Sequence, residues 1–487
     1  MNGGRVIPVR PMNRCFQSRG GRLAATVLSG VLFFFSLKLT PLWPAVWLAL
    51  IPLLLAAFNS SAREARRLAW LAAAAGVASN LTYYLKTTGP AATIILMILQ
   101  VLLWGFLVGS TRAAVLASRS WLTVFWLPVL MAGFDTLISN LSPHGSFGVL
   151  ALTQADLLPI MQIASVFGAP AIDFLIGLFA SVVAIAIFRR RHILRPWLAY
   201  GLPVLLLASA AAFGERRLHS APSPQRVCVG IAVVDDFIGP GVTGAKAEAV
   251  WRAYENSVAQ LAAKGARMVV LPEKIVALTP EEALKRQREF SELARRNNVY
   301  LVAGVQLNEP QRKRNVLWLF TPAGVQAAEY DKMHMVPHLE SDLAPGHEFM
   351  VRQIEGQHYG LAICRDLLFE GFGREYSRRG VFALLVPAWD FYRDAWMASS
   401  IAELRGVEGG FAVVRAGRES YLNISDRYGR VLARTRSDFL PGKTLLAGLP
   451  LYAFGPTLYA RAGHVFGWFC VAASVLGIVF RRRVQRA

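Results

Sequence analysis

Residues 91–110 read AATIILMILQVLLWGFLVGS, a stretch without a single charged side chain. An α-helix needs about 20 such residues to cross the hydrocarbon core of a bilayer. Working outward from it, further apolar stretches lie at 23–37, 41–58 and 68–85 on one side, and at 120–139, 160–188 and 196–214 on the other. A last one falls at 463–480. The reading is a polytopic α-helical membrane bundle of about eight spans. Composition demands something of this kind, because the 487 residues are 54% hydrophobic and still carry a formal charge of +21. Basic loops bounding an apolar bundle reconcile the two. Nucleic-acid binding, the other usual meaning of such a charge, is set aside because the arginines stand in short runs between apolar stretches.

Those runs alternate along the chain. Arg5, Arg10, Arg14, Arg19 and Arg22 precede the first span, and Arg63, Arg66 and Arg67 follow the second. Arg112 and Arg119 follow the fourth, Arg189, Arg190 and Arg191 the sixth, and Arg481, Arg482, Arg483 and Arg486 the last. The intervening loops hold little beyond Lys38 and Lys86. By the positive-inside rule both termini are cytoplasmic and the long segment from 215 to 460 lies across the membrane. A cleaved signal peptide at the first stretch is disfavoured, since no small-residue cleavage site follows and Lys38-Leu39-Thr40-Pro41 runs straight into the next apolar segment. Asp135 and Asp173 fall in or near spans and are expected to pack against polar partners. Residues 142–148, rich in Pro and Gly, form a shaped loop on the same side as the long segment.

Cys15, Cys228, Cys364 and Cys470 show neither metal-ligand spacing nor the density of a disulfide scaffold, so no structural metal is expected.

From residue 226 the hydrophobic period changes. Residues 226–234, 266–271, 299–307 and 316–320 read as strands, and 245–264 as an amphipathic helix. Thr279-Pro280-Glu281-Glu282 is a capping box with Pro at the first helical position, opening a helix that runs to Asn297. The division is a bundle over 1–214, a layered αβ domain over 215–455 and a final span with basic tail over 456–487. Within the domain, Glu273 follows the strand Met268-Val269-Val270-Leu271, Lys332 lies in Tyr330-Asp331-Lys332, and Cys364 ends Gly360-Leu361-Ala362-Ile363. Each alone is ordinary, a core thiol or a solvated charge. Together they supply what acyl transfer through a thiol needs: a nucleophile, a carboxylate to move its proton, and a cation for thiolate and oxyanion. His334, His338 and His347 compete for the role of base from one polar loop.

A Glu after a strand, a Lys in a Tyr-Asp-Lys turn and a Cys ending Gly-Leu-Ala-Ile-Cys, in that order, resemble the nitrilase, or carbon-nitrogen hydrolase, superfamily. That resemblance implies an α-β-β-α sandwich and carries in Glu340, eight residues beyond Lys332, as a supporting carboxylate. Such a domain placed before the final span of a bundle, with residues 142–148 and 162–168, is similar to the apolipoprotein N-acyltransferases. The family implies transfer of an acyl group from a glycerophospholipid, through a Cys364 thioester, to the amine of a diacylglyceryl-cysteine lipoprotein. It further implies an inner membrane with the domain in the periplasm, and no cofactor or metal. The expected partners are the phospholipid donor, the diacylated lipoprotein and the bilayer, with no nucleic acid. Two positions depart from the family: Cys364-Arg365-Asp366 stands where an aromatic residue and Glu are usual, with Asp366 as a shorter supporting carboxylate, and Trp389 stands in place of an Asn-rich turn. Trp389, Phe349 and Met350 are candidate substrate-binding residues, with Phe369 and Phe372 as further lid candidates. A membrane-anchored amidase or nitrile hydrolase is the alternative, and a non-catalytic scaffold is disfavoured because Glu273, Lys332, Glu340 and Cys364 are all retained.

Overall fold

The computed structural model describes residues 14–189, 193–220, 225–239, 241–452 and 455–486; Arg5, Arg10, Arg190 and Arg191 of the orientation argument lie outside them. Among the described residues five helices are long and apolar enough to cross a membrane: Arg19–Leu37, Pro90–Ala117, Trp121–Leu141, Pro170–Arg189 and Trp197–Leu218. Trp43–Phe58, Leu158–Phe167 and Val465–Phe480 are shorter apolar helices. The stretch read as one span at 68–85 is instead two helices, Ala62–Ala78 and Leu81–Thr88. Asn80 sits at the break, donating to Leu37 O at 2.7 Å and accepting from Leu39 N at 3.2 Å. A buried amide serving the backbone of another helix end is a tertiary cause, invisible to hydropathy. The stretch at 160–188 likewise begins with short turns, Leu158–Met161 and Ala164–Phe167, before Pro170–Arg189. Asp135 and Asp173 are buried, and Oδ2 of the first and Oδ1 of the second have no hydrogen-bond partner among the described residues.

The basic connections gather at one end of the bundle. Arg22 pairs with Glu64 at 2.8 Å, Arg112 Nε donates to Ser60 O at 2.9 Å, Arg189 to Ser118 O at 2.8 Å, and Leu194 N to Arg119 O at 2.8 Å. At the other end the αβ domain is seated: Ser146 N donates to Leu368 O at 2.9 Å, and Ala169 N to Glu408 Oε1 at 2.9 Å.

The domain's strands are β1 (Arg226–Val233), β2 (Met268–Val270), β3 (Ala277–Leu278), β4 (Tyr300–Asn308), β5 (Lys313–Phe320) and β6 (Gln326–Asp331). They continue with β7 (Val351–Ile354), β8 (Gln357–Leu361), β9 (Ala383–Trp389), β10 (Ala412–Arg418), β11 (Tyr421–Ser425), β12 (Val431–Arg436) and β13 (Lys443–Pro450). One sheet runs β13-β1-β2-β4-β5-β6 with β3 beside β4, and the other runs β12-β11-β10-β9-β8-β7. Side chains alternate faces along a strand. Val270 therefore joins the core between the sheets with Leu361, Leu385 and Val414, while Val269 and Leu271 pack under the helices. On that outer face Phe290 of the helix Pro280–Asn297 stacks 6.0 Å from Phe320 and meets Trp251 of the helix Gly244–Ala263 at 5.1 Å. The capping box read at Thr279 is formed, with Thr279 Oγ1 and Glu282 each holding the other's backbone N–H. The helix Ala395–Gly409 covers the second sheet, completing the α-β-β-α order.

Candidate active site

Strand ends place the candidate groups. Glu273 follows β2 through Leu271-Pro272, and its close approach depends on Gly304 of β4, where a Cβ would lie 2.7 Å from Glu273 Cα. Lys332 follows β6, and Cys364 follows β8 at the opening of a tight turn, Cys364–Leu368. Cys364 has φ +43°, Lys274 +48° and His338 +67°. Left-handed conformations at such residues cost about 1–3 kcal/mol each and concentrate at functional sites.

Lys332 is 1% exposed, between two carboxylates. Its Nζ donates to Glu273 Oε1 and to Glu340 Oε2, both at 2.8 Å. Asn315, in the middle of β5, donates one amide to both, at 2.5 Å to Glu273 Oε1 and 3.0 Å to Glu340 Oε1. Lys274 adds a second cation on Glu340 at 2.7 Å, and Val336 N a further bond at 2.9 Å. Glu273 Oε2 is buried with no hydrogen-bond partner among the described residues. One carboxylate oxygen is thus fixed by donors and the other is available to take a proton.

The charges follow from this packing. Burial disfavours the Lys332 ammonium, but Glu273 and Glu340 outweigh it and hold the group above its ordinary value. Burial likewise opposes the Glu340 carboxylate, yet Lys332 and then Lys274 bring it down to about 2. For Cys364, burial and then Glu273 push the thiol well up, against the pull of Lys332. Little thiolate stands ready at neutral pH, so a nucleophilic role for this sulfur would require proton removal as it engages a substrate.

On its other side, Cys364 Sγ lies 3.5 Å from Trp389 O and 3.9 Å from Asp390 Oδ1. Asp390 is clamped by Arg415 Nη2 at 2.7 and 2.8 Å. The Trp389 ring has the Arg418 guanidinium 3.4 Å from its centroid, with Phe237 at 5.8 Å and Lys274 at 5.4 Å. Asp366 accepts from Met333 N, His334 N and His334 Nδ1 on one oxygen, and from Ile363 N and the Tyr330 hydroxyl on the other. It therefore ties the loop carrying Lys332 to the turn carrying Cys364. The His334 ring, bonded to Asp366 and stacked 3.9 Å from Phe369, is engaged in that tie, and His338 and His347 are exposed. Phe349 packs at 5.3 Å from both Phe372 and Tyr376, and Met350 N donates to the Tyr376 hydroxyl at 3.2 Å. Asn315, Lys274, Asp390 with Arg415, and Arg418 escape sequence reading. Only the run of β-strand around Asn315, with a polar amide among buried residues, carries a signal. Among the described residues no group of three or more His, Cys, Asp or Glu side chains is arranged to hold a metal ion.

A carbon-nitrogen hydrolase fold carried on membrane helices is the class that this architecture and site define, and comparison with known proteins agrees. The family model for the apolipoprotein N-acyltransferase N-terminal domain matches residues 29–182, and that for carbon-nitrogen hydrolases matches residues 231–422. An apolipoprotein N-acyltransferase of Geobacter metallireducens is 28% identical, covering 94% of this chain and 95% of its own. One from Bradyrhizobium diazoefficiens is 26% identical over 71% of this chain and 70% of its own. Among solved structures, an amidase from Nesterenkonia sp. aligns with 46% of this chain and 91% of its own, at 17% identity and a TM-score of 0.41. The chain belongs to the apolipoprotein N-acyltransferase family of the nitrilase superfamily.

Proposed function

We propose that this enzyme moves a fatty acyl group from a glycerophospholipid to the N-terminal amine of a diacylglyceryl-cysteine lipoprotein, by way of a thioester on Cys364. The observation that carries the reading is the seam between the halves. The turn bearing Cys364 accepts both Ser146 N and Ser146 Oγ on Leu368 O, so the nucleophile sits against the bundle's own loop. A site built there suits substrates whose tails stay in the bilayer.

In the first step Glu273 Oε2 takes the thiol proton as Sγ bonds to the ester carbonyl carbon. Lys332 stabilises the tetrahedral oxyanion, the ester C–O bond breaks, and Glu273 returns the proton to the leaving lysophospholipid oxygen. In the second, the lipoprotein amine attacks the thioester carbon and gives its proton to Glu273. The C–S bond then breaks and the thiolate recovers the proton. Ester and amine become alcohol and amide, with the enzyme unchanged. Glu340 and Asn315 hold Lys332 and Glu273, and Asp366 sets the distance between the two loops.

The basic connections at the opposite end of the bundle support an inner-membrane orientation with both termini cytoplasmic and the site periplasmic. The reaction is tested with the full chain in detergent, a defined phospholipid and a synthetic diacylated lipopeptide. Expected are lysophospholipid release and a gain of one acyl mass on the lipopeptide, lost when its amine is blocked. Free fatty acid without lipopeptide acylation would favour a hydrolase.

A further inference from the structure

Arg365, next to the nucleophile, has no role in the steps above. Only 7% of its surface is exposed, yet it makes no ion pair among the described residues. One guanidinium nitrogen donates to Pro143 O in the bundle's loop, and Nε has no partner. Buried Arg405 and Arg415 are different, each facing a carboxylate, Glu408 and Asp390 respectively. The carboxylates nearest Arg365 are already committed. Asp366 serves the donors named above, and Glu340 serves Lys332, Lys274 and Asn315. His144, from the same loop as Pro143, is held below its ordinary value by burial and then by Arg365 and His338. The Phe369 ring, 5.8 Å from the guanidinium carbon, forms another wall.

Burying a charge without a charged partner is unfavourable, and an arriving anion would offset that. The guanidinium fork matches phosphate oxygens in pairs. We propose that Arg365 binds the phosphate of the acyl-donor phospholipid and so selects the donor; the assignment rests on the thioester reading. A lipid entering along the seam would lay its ester carbonyl at Sγ and its phosphate a glycerol's length away, toward Pro143 and His144. The acceptor's reacting amine offers no anion to the same group, so the site distinguishes the two substrates by charge.

The test compares acyl-enzyme formation by the full chain from phosphatidylethanolamine and from diacylglycerol with the same chains, which differ by the phosphate headgroup alone. The wild type is expected to prefer the phospholipid. R365M should lose about tenfold or more of that preference, as for a charged hydrogen bond removed, and R365K should keep part of it. Equal slowing with both donors, or an unchanged ratio, would overturn the assignment. If the wild type is acylated by neither donor, the thioester reading itself fails. If it is acylated by both at the same rate, only the assignment of Arg365 fails.

Discussion

The hydroxyl of Tyr83, on the short bundle helix Leu81–Thr88, donates to Asp394 Oδ2 at 2.9 Å, four residues beyond the Asp390 that faces Cys364. Asp394 also accepts from Phe391 N at 2.9 Å, so one carboxylate holds both the bundle and the strand end that carries Trp389 and Asp390. Burial, then Asp390, raise the Asp394 carboxyl to about 6.

Tyr83→Phe should therefore destabilise the protein in a pH-dependent way. A carboxyl raised in the folded state favours folding in its protonated form, and that contribution fades as pH rises from its ordinary range through about 6. Above that value the carboxylate relies on the Tyr83 hydroxyl. The loss, about 1–3 kcal/mol for a hydrogen bond to a charged group, should show in melting curves at about pH 8 and shrink at about pH 5. A larger loss at the acid pH would contradict this account.

Glu340→Gln should cost both stability and turnover, because it leaves Lys332 with Glu273 alone and takes from Lys274 its one ion pair among the described residues. Removing one member of a buried pair costs about 3–5 kcal/mol. The sign with pH is opposite to that of Asp394. Glu340 is depressed to about 2, so its contribution is complete above the ordinary carboxylate range and is lost as pH falls toward 2. Between about pH 5 and 3 the wild type should lose stability more steeply than the variant in thermal melts. Parallel curves would remove Glu340 from the ion network.

Gly145→Val probes the seam. Gly145 has φ +55°, and a Cβ there would lie 2.5 Å from Leu368 O, the acceptor that fixes the loop to the nucleophile turn. The substitution should slow acyl-enzyme formation about a hundredfold, the scale of an ångström-sized misplacement, while membrane insertion persists. Wild-type kinetics would show that the loop does not position Cys364.

How much of this was legible beforehand varies with the range of the interactions. Glu273, Lys332 and Cys364 stand at strand ends whose local patterns are strong, and Thr279 announces its helix by a capping box four residues long. Asn315 is different. It sits inside β5 between Arg314 and Val316, and only the pairing of β5 with β4 and β6 turns its amide toward Glu273 and Glu340. The break at Asn80 depends on the ends of another helix at Leu37 and Leu39, so a window of apolar residues reads through it. His334 reads from its loop only as one of three competitors for the base, and Asp366, distant in sequence, takes both its backbone and its ring. In each case the deciding partner is remote along the chain.

The account depends most on Cys364 carrying the acyl group, and intact mass of the purified full chain after incubation with a defined phosphatidylethanolamine tests this directly. The predicted result is one fatty-acyl adduct that hydroxylamine releases and that Cys364→Ala lacks, with lysophospholipid in solution. An unmodified wild-type mass alongside acylated lipopeptide, or the same adduct on the alanine variant, would contradict it.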